Sequence, residues 1–238
     1  MAAAQIAVIV GVGPGLGRAV AERFARGGFD IVLMARSTQR LSGIADAVRA
    51  AGREAHVIGV DVTAPDSVAA AFAEVRTRLG DPSVLVYNAG RIQIAGLLDI
   101  EPEEFDSLWQ TNCRGAFLAA REVLPAMRDA ERGSIILTGA TAAVRGGARF
   151  ASFAVGKFGL RALAQSMARE FGPAGVHVAH AVIDGQIATP TNVERMPDAA
   201  AGSLLDPEAI ADSYWHLHQQ PRSVWTHELD LRPASETF

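Results

Sequence analysis

Residues 5–17 read QIAVIVGVGPGLG: a short apolar run followed by a stretch in which every second residue from Gly11 to Gly17 is glycine. A continuous apolar run that ends at glycine suits a strand buried on both faces of a parallel sheet. The segment that follows, 16–26, has helical spacing. The first unit is therefore strand, glycine turn, helix. At such a helix start, unpaired backbone N–H groups and the helix dipole favour a pyrophosphate. The glycines supply a tight turn, close backbone approach and close helix packing. Gly11, Gly13, Gly15, Leu16 and Gly17 are thus candidates for holding a dinucleotide, the alternative being a plain tight turn.

Outward from this unit the alternation continues. Strands are expected at 31–35, 55–60, 83–87, 134–138, 176–183 and 225–231, and helices at 38–51, 66–79, 103–128, 150–171 and from Asp206-Pro207-Glu208 onward. Glu101-Pro102-Glu103-Glu104 places acidic residues and an early proline where a positive helix end favours them. Strands alternating with helices imply an α/β fold, a parallel sheet with right-handed crossovers and helices on both faces. The 238 residues are read as one domain, 1–238, with a lid-like loop at 184–206 after a strand's carboxyl end, where open α/β sheets bind ligands. The alternative for that loop is a plain surface connection.

A formal charge of −4 without any Lys/Arg cluster argues against nucleic acid or an anionic membrane surface as partner. No apolar run approaches the roughly 18 residues of a spanning helix. Cys113 is the single cysteine, so an internal disulfide and a multi-cysteine metal site are excluded, and a cytoplasmic location is the simplest reading. His177 and His180 sit three apart in a strand and point to opposite faces, while His216 and His218 do not converge on a helix; no metal site is expected.

Arg36 ends the second strand, where an acidic residue would grip a ribose 2′-hydroxyl and an arginine would accommodate a 2′-phosphate. NADP(H) is therefore favoured over NAD(H), with an ordinary solvated arginine as the alternative. Asp61 either accepts a hydrogen bond from an adenine amine or caps the helix near Pro65.

Taken together, the motifs resemble those of the short-chain dehydrogenase/reductase family along nearly the whole chain. The family's T-G-x-x-x-G-x-G turn stands as Val10-Gly11-Val12-Gly13-Pro14-Gly15-Leu16-Gly17, its D-V pair as Asp61-Val62, and its N-N-A-G as Tyr87-Asn88-Ala89-Gly90. Its helical asparagine matches Asn112, and its P-G-x-x-x-T becomes Asp184-Gly185-Gln186-Ile187-Ala188-Thr189. The resemblance implies a Rossmann-type, doubly wound sheet of about seven parallel strands with a nicotinamide cofactor across their carboxyl ends. It also implies that Asn88, Ala89 and Gly90 wall the adenosine side and that Ile187 and Thr189 reach the carboxamide. A homodimer or homotetramer built on the two long helices is the corresponding expectation for assembly.

One motif departs. The family's Y-x-x-x-K reads Phe153-Ala154-Val155-Gly156-Lys157, so the lysine is present and the phenol is gone. The partner serine, thirteen residues earlier, is Ala140, and the wider spacing used by enoyl reductases lands on Phe150. Phenylalanine has no ionisable proton, so no environment restores the role. Lys157 is retained as ribose anchor and Asn112 as the group that holds a helix open around an ordered water; the alternatives are a solvated lysine and an asparagine bonding its own helix. Tyr87 and Tyr214 are the only phenols, and the hydroxyls of Thr141 and Ser152 are too weakly acidic without a partner base. Two functions are compatible with this pattern: an NADP(H)-dependent oxidoreductase acting on a small molecule with an altered proton-transfer step, or a cofactor-binding protein without turnover, as redox sensor or partner subunit.

Overall fold

A computed structural model of the chain describes residues 5–200 and 202–236. Seven strands form one parallel sheet: β1 (Gln5–Val10), β2 (Phe29–Ala35), β3 (Ala55–Gly59), β4 (Val84–Tyr87), β5 (Gly133–Thr138), β6 (Val176–Ile183) and β7 (Glu228–Leu231). Their order is β3-β2-β1-β4-β5-β6-β7. The order reverses between β1 and β4, which opens a crevice at the strands' carboxyl ends. β1 reads as an apolar run because it lies inside the sheet and all but its first residue are buried.

Helices α1 (Leu16–Arg26), α2 (Ser42–Ala50) and α8 (Pro207–Gln219) cover one face, with Phe24, Ile44 and Tyr214 in its core. Helices α3 (Pro65–Arg78), α5 (Gly115–Asp129) and α6 (Ala151–Phe171) cover the other, with Phe72, Val123 and Leu160. A doubly wound α/β sheet is what the alternation of strands and helices implied.

The departures from the expected elements have local causes. The single helix expected at 103–128 is α4 (Pro102–Trp109), a π-helical turn at Gln110–Arg114, and then α5. Asn112 Nδ2 donates to Leu108 O at 3.0 Å and the Tyr87 hydroxyl to Thr111 O at 2.6 Å, so side chains take carbonyls where the helical ladder slips. The helix expected at 38–51 begins as a 3₁₀ turn at Thr38–Leu41 and continues as α2. β7 is shorter than 225–231 because Gln220 Oε1 accepts from the Thr226 N–H at 2.8 Å, holding that residue outside the sheet. The loop at 184–206 contains α7 (Pro190–Arg195) and a parallel bridge between Ile187 and Leu205. Thr189 caps α7, its Oγ1 accepting from the Asn192 N–H at 3.2 Å, with Pro190 in the first turn.

Gly11 sets the approach of β1 to the crevice. Its φ of +89° is left-handed, and a Cβ there would stand 2.3 Å from the Ala89 nitrogen. The turn is thereby pressed onto the end of β4, where Asn88 Nδ2 donates to Gly11 O at 2.9 Å.

Candidate functional site

A cleft of about 640 Å³ lies over the carboxyl ends of β1, β2 and β4. Gly11, Gly13, Gly15, Leu16 and Gly17 form its floor. Gly13 faces open space where a side chain would project, and Cβ atoms on Gly15 and Gly17 would stand 2.5 Å from Thr189 Cγ2 and 2.8 Å from Val12 Cα. No side chain caps the start of α1. A glycine cradle at an uncapped helix N-terminus fits the pyrophosphate of a dinucleotide. Arg36, Ser37 and Arg40 stand on the wall beyond β2, and among the described residues no carboxylate lines the cleft. Val62, Asn88, Ala89 and Gly90 line it on the β4 side, Ile187 and Thr189 on the opposite one.

Asp61 is placed differently from its neighbours. Val60 and Val62 are on the wall, while Asp61 Oδ1 accepts from the Thr63 N–H at 2.9 Å and hydroxyl at 2.8 Å, bonds that hold its carboxyl below the usual range. It does not cap α3, which begins after Ala64 with no side-chain cap.

A second cavity, of about 620 Å³, adjoins the first and shares Gly90, Thr138, Ile187 and Thr189 with it. Lys157, on α6, lines it. Its Nζ donates to Thr138 O at 2.7 Å, and burial pushes the amine down to about 8. A Cβ on Gly90 would lie 3.1 Å from Asn112 Oδ1 and 3.5 Å from Lys157 Nζ, so the chain meets these two residues at one point. Asn112 is fully buried. Its Nδ2 donates to Arg91 O at 2.8 Å as well as to Leu108, and its Oδ1 accepts from the Arg91 N–H at 3.2 Å. Asn112 therefore bonds its own helix and also ties that helix to the segment after β4.

The cavity wall beside Lys157 is largely apolar. Ala140, Phe150 and Phe153 line the cavity, with Lys157 Nζ 5.9 Å from the centre of the Phe153 ring. Neither tyrosine lines either cavity. The Tyr87 hydroxyl is used by Thr111 O, that of Tyr214 shares a 2.9 Å hydrogen bond with Thr138 Oγ1, and burial pushes both phenols up. The Ser152 hydroxyl donates to Gln93 Oε1 at 2.8 Å. Thr141 overturns one expectation: it does have a partner base, its hydroxyl donating to Asp184 Oδ1 at 2.5 Å.

The other titratable candidates lie apart. His177 stacks on Trp225 with ring centres 4.8 Å apart, and His218 Nδ1 shares a 2.9 Å hydrogen bond with Ser134. Cys113 is half-buried, its thiol pushed up by burial. Among the described residues no three His, Cys, Asp or Glu side chains group as metal ligands, and no helix is long and apolar enough to cross a membrane.

Sequence reasoning passed over Arg40 and Ser37, which enter the first cleft, and Arg145, which enters the second. One signal was available for the core of the site: Lys157 is the only lysine among 22 Lys and Arg residues.

Comparison with known proteins agrees with this geometry. A model of the short-chain dehydrogenase family matches residues 5–200. A short-chain dehydrogenase/reductase of Armillaria gallica is 35% identical over 191 residues, covering 78% of this chain and 72% of the relative. The crystal structure of a short-chain dehydrogenase from Rhodopseudomonas palustris is 34% identical, with a TM-score of 0.84, over 96% of this chain and 98% of that one. A metagenomic short-chain oxidoreductase solved in complex with NADP is 28% identical, with a TM-score of 0.84, over 98% and 99% of the two chains.

Proposed function

The chain belongs to the short-chain dehydrogenase family, and from that premise we propose that it is an NADP(H)-dependent oxidoreductase whose proton-transfer step differs from the family's usual one. The observation that carries this reading is the junction of the two cavities at Gly90, Thr138, Ile187 and Thr189, with Lys157 Nζ buried beside it. A nicotinamide dinucleotide supplies or accepts a hydride when bound. Gly11, Gly13, Gly15, Leu16 and Gly17 hold its pyrophosphate. Val62, Asn88, Ala89 and Gly90 wall the adenosine side, Asp61 supports that wall, and Ile187 and Thr189 hold the carboxamide. Lys157 holds the ribose, and Asn112 positions the backbone beside it. Arg36, with Arg40 lining the same cleft and no carboxylate on that wall among the described residues, favours a 2′-phosphate, in keeping with the NADP named for the metagenomic relative.

In this reading residues 1–238 act as one dinucleotide-binding domain, and 184–206 serve as the lid over the substrate. Trp109, Phe117, Val155 and Phe158 expose large apolar surface on α4, α5 and α6, which supports a homodimer or homotetramer. A lone cysteine agrees with a cytoplasmic setting.

Ala140 and Phe153 favour a second reading, a cofactor-binding sensor or partner subunit without turnover, because proton transfer by a positioned group is worth roughly 10² to 10⁴ in rate. NADPH titration by fluorescence, followed by a panel of carbonyl, enone, imine and alcohol compounds read at the reduced-nicotinamide band, separates the two. Turnover of any compound removes the sensor. Tight NADPH binding with no turnover across the panel removes the enzyme.

A further inference from the structure

The wall that lost its usual hydroxyls still carries one, and it touches a carboxylate. Thr141 follows Ala140 directly and lines the second cavity. Its Oγ1 donates to Asp184 Oδ1 at 2.5 Å. Asp184 is only 6% exposed and is fixed at the end of β6 by its N–H, which donates to Leu231 O at 2.8 Å. Arg232 Nη2 stands 3.3 Å from Asp184 Oδ2. A buried carboxylate is costly unless paired and hydrogen-bonded, and among the described residues a guanidinium and one hydroxyl meet it.

A threonine hydroxyl has a single proton and two lone pairs. With that proton given to Asp184, Thr141 Oγ1 has only lone pairs left for a second partner. It cannot donate to a carbonyl oxygen, as a free hydroxyl on this wall would. It can accept from a substrate O–H.

We propose that Thr141 and Asp184 form a proton-accepting subsite in this cavity, and that the substrate is an alcohol taken in the oxidative direction. The proposal deepens the oxidoreductase reading and rests on it. The substrate O–H proton passes to Thr141 Oγ1 as the Thr141 proton passes to Asp184. The carbinol C–H bond breaks, its electron pair and hydrogen leaving as hydride to the oxidised nicotinamide, and the C=O bond forms. Substrate oxidation is balanced by cofactor reduction, and the proton rests on Asp184. Thr141 touches the substrate, and Asp184 takes up the proton through Thr141.

The test is a binding measurement on the full chain saturated with NADPH, in which neither probe can react. The probes are 1-phenylethanol and its O-methyl ether, which lacks the donor. Calorimetry is expected to show the alcohol binding at least tenfold tighter than the ether. Thr141→Val is expected to reduce that preference to within about twofold and Thr141→Ser to keep it, a rescue that a merely structural threonine would not show. Asp184→Ala frees the Thr141 proton to donate to the ether oxygen, so the ether should gain on the alcohol. Equal binding of alcohol and ether by the unmodified chain, a preference that survives Thr141→Val, or no binding of either probe by the NADPH complex overturns the subsite while leaving the oxidoreductase reading standing. Failure to bind NADPH at all defeats both.

Discussion

Lys157→Met should make the cofactor-free protein more stable at neutral pH while weakening its grip on NADPH. The amine is buried, forms no ion pair among the described residues, and has the Thr138 carbonyl as its hydrogen-bond partner. Burial lowers it from 10.5 to about 8. That drop corresponds to a preference of about 3 kcal/mol for the neutral amine in the folded state. Between pH 8 and 10.5 the unfolded chain binds a proton that the folded chain does not, so stability rises with pH through that window. Below about pH 8 the full cost of burying the charge is present. Methionine fills the volume without the charge, and losing the hydrogen bond to Thr138 offsets about 1–2 kcal/mol of the gain. The expected net gain near pH 7 is about 1–2 kcal/mol, or roughly 2–8 °C in melting temperature for a chain of this size. Urea unfolding followed by tryptophan fluorescence should show the gain at pH 7 and its disappearance toward pH 10. Because Lys157 is the only lysine, selective ¹⁵N-lysine labelling reports its Nζ titration directly. A variant less stable than the parent at pH 7, or an Nζ that titrates above about 10, would refute the reasoning. The same variant should bind NADPH at least tenfold more weakly, which separates a residue kept for ligand binding from one kept for packing.

Two further outcomes follow from the same geometry. The pair Phe153→Tyr with Ala140→Ser restores a donor hydroxyl to a wall that already lies beside Lys157, and carbonyl reduction with NADPH should appear or rise by about 10² or more; a folded, NADPH-binding double variant with no gain would mean that cavity shape, not the missing hydroxyls, limits the reaction. Arg36→Ala should raise the dissociation constant for NADPH by about tenfold or more and leave that for NADH nearly unchanged, since a charge-assisted contact to the extra phosphate is lost, and equal weakening of both would remove Arg36 from cofactor selection.

The strand–glycine–helix opening was legible because each of its signals is local. An apolar run, alternating glycines and a helical period all fall within 5–26, and each constrains the backbone where it stands. Parallel pairing then followed from alternation alone, since parallel neighbours require crossovers. Element interruptions were less legible. The π turn depends on Tyr87 reaching Thr111 O from β4, a contact no window along the helix contains. By contrast α7 was announced by Thr189-Pro190, a cap and first-turn pair hidden in a segment whose Ala, Pro and Thr content reads as loop.

The site divides along the same line, and the division explains why the sequence alone shows Thr141 without a base. Lys157 and Phe153 share one helix, four residues apart, so sequence spacing places them on one face. Thr141 and Asp184 are 43 residues apart, at the carboxyl ends of β5 and β6, and only the register Thr138↔Ala181 of those two strands brings the segments that follow them side by side. Viewed locally, Thr141 is a hydroxyl without a base and Asp184 is an aspartate standing where the family pattern has proline. Viewed across the sheet, each supplies what the other lacks: the aspartate gains a donor for a buried oxygen, and the threonine gains an acceptor for its proton. On the proposed reading, Phe153 offers the cavity no donor, while Asp184, acting through Thr141, leaves the cavity an acceptor.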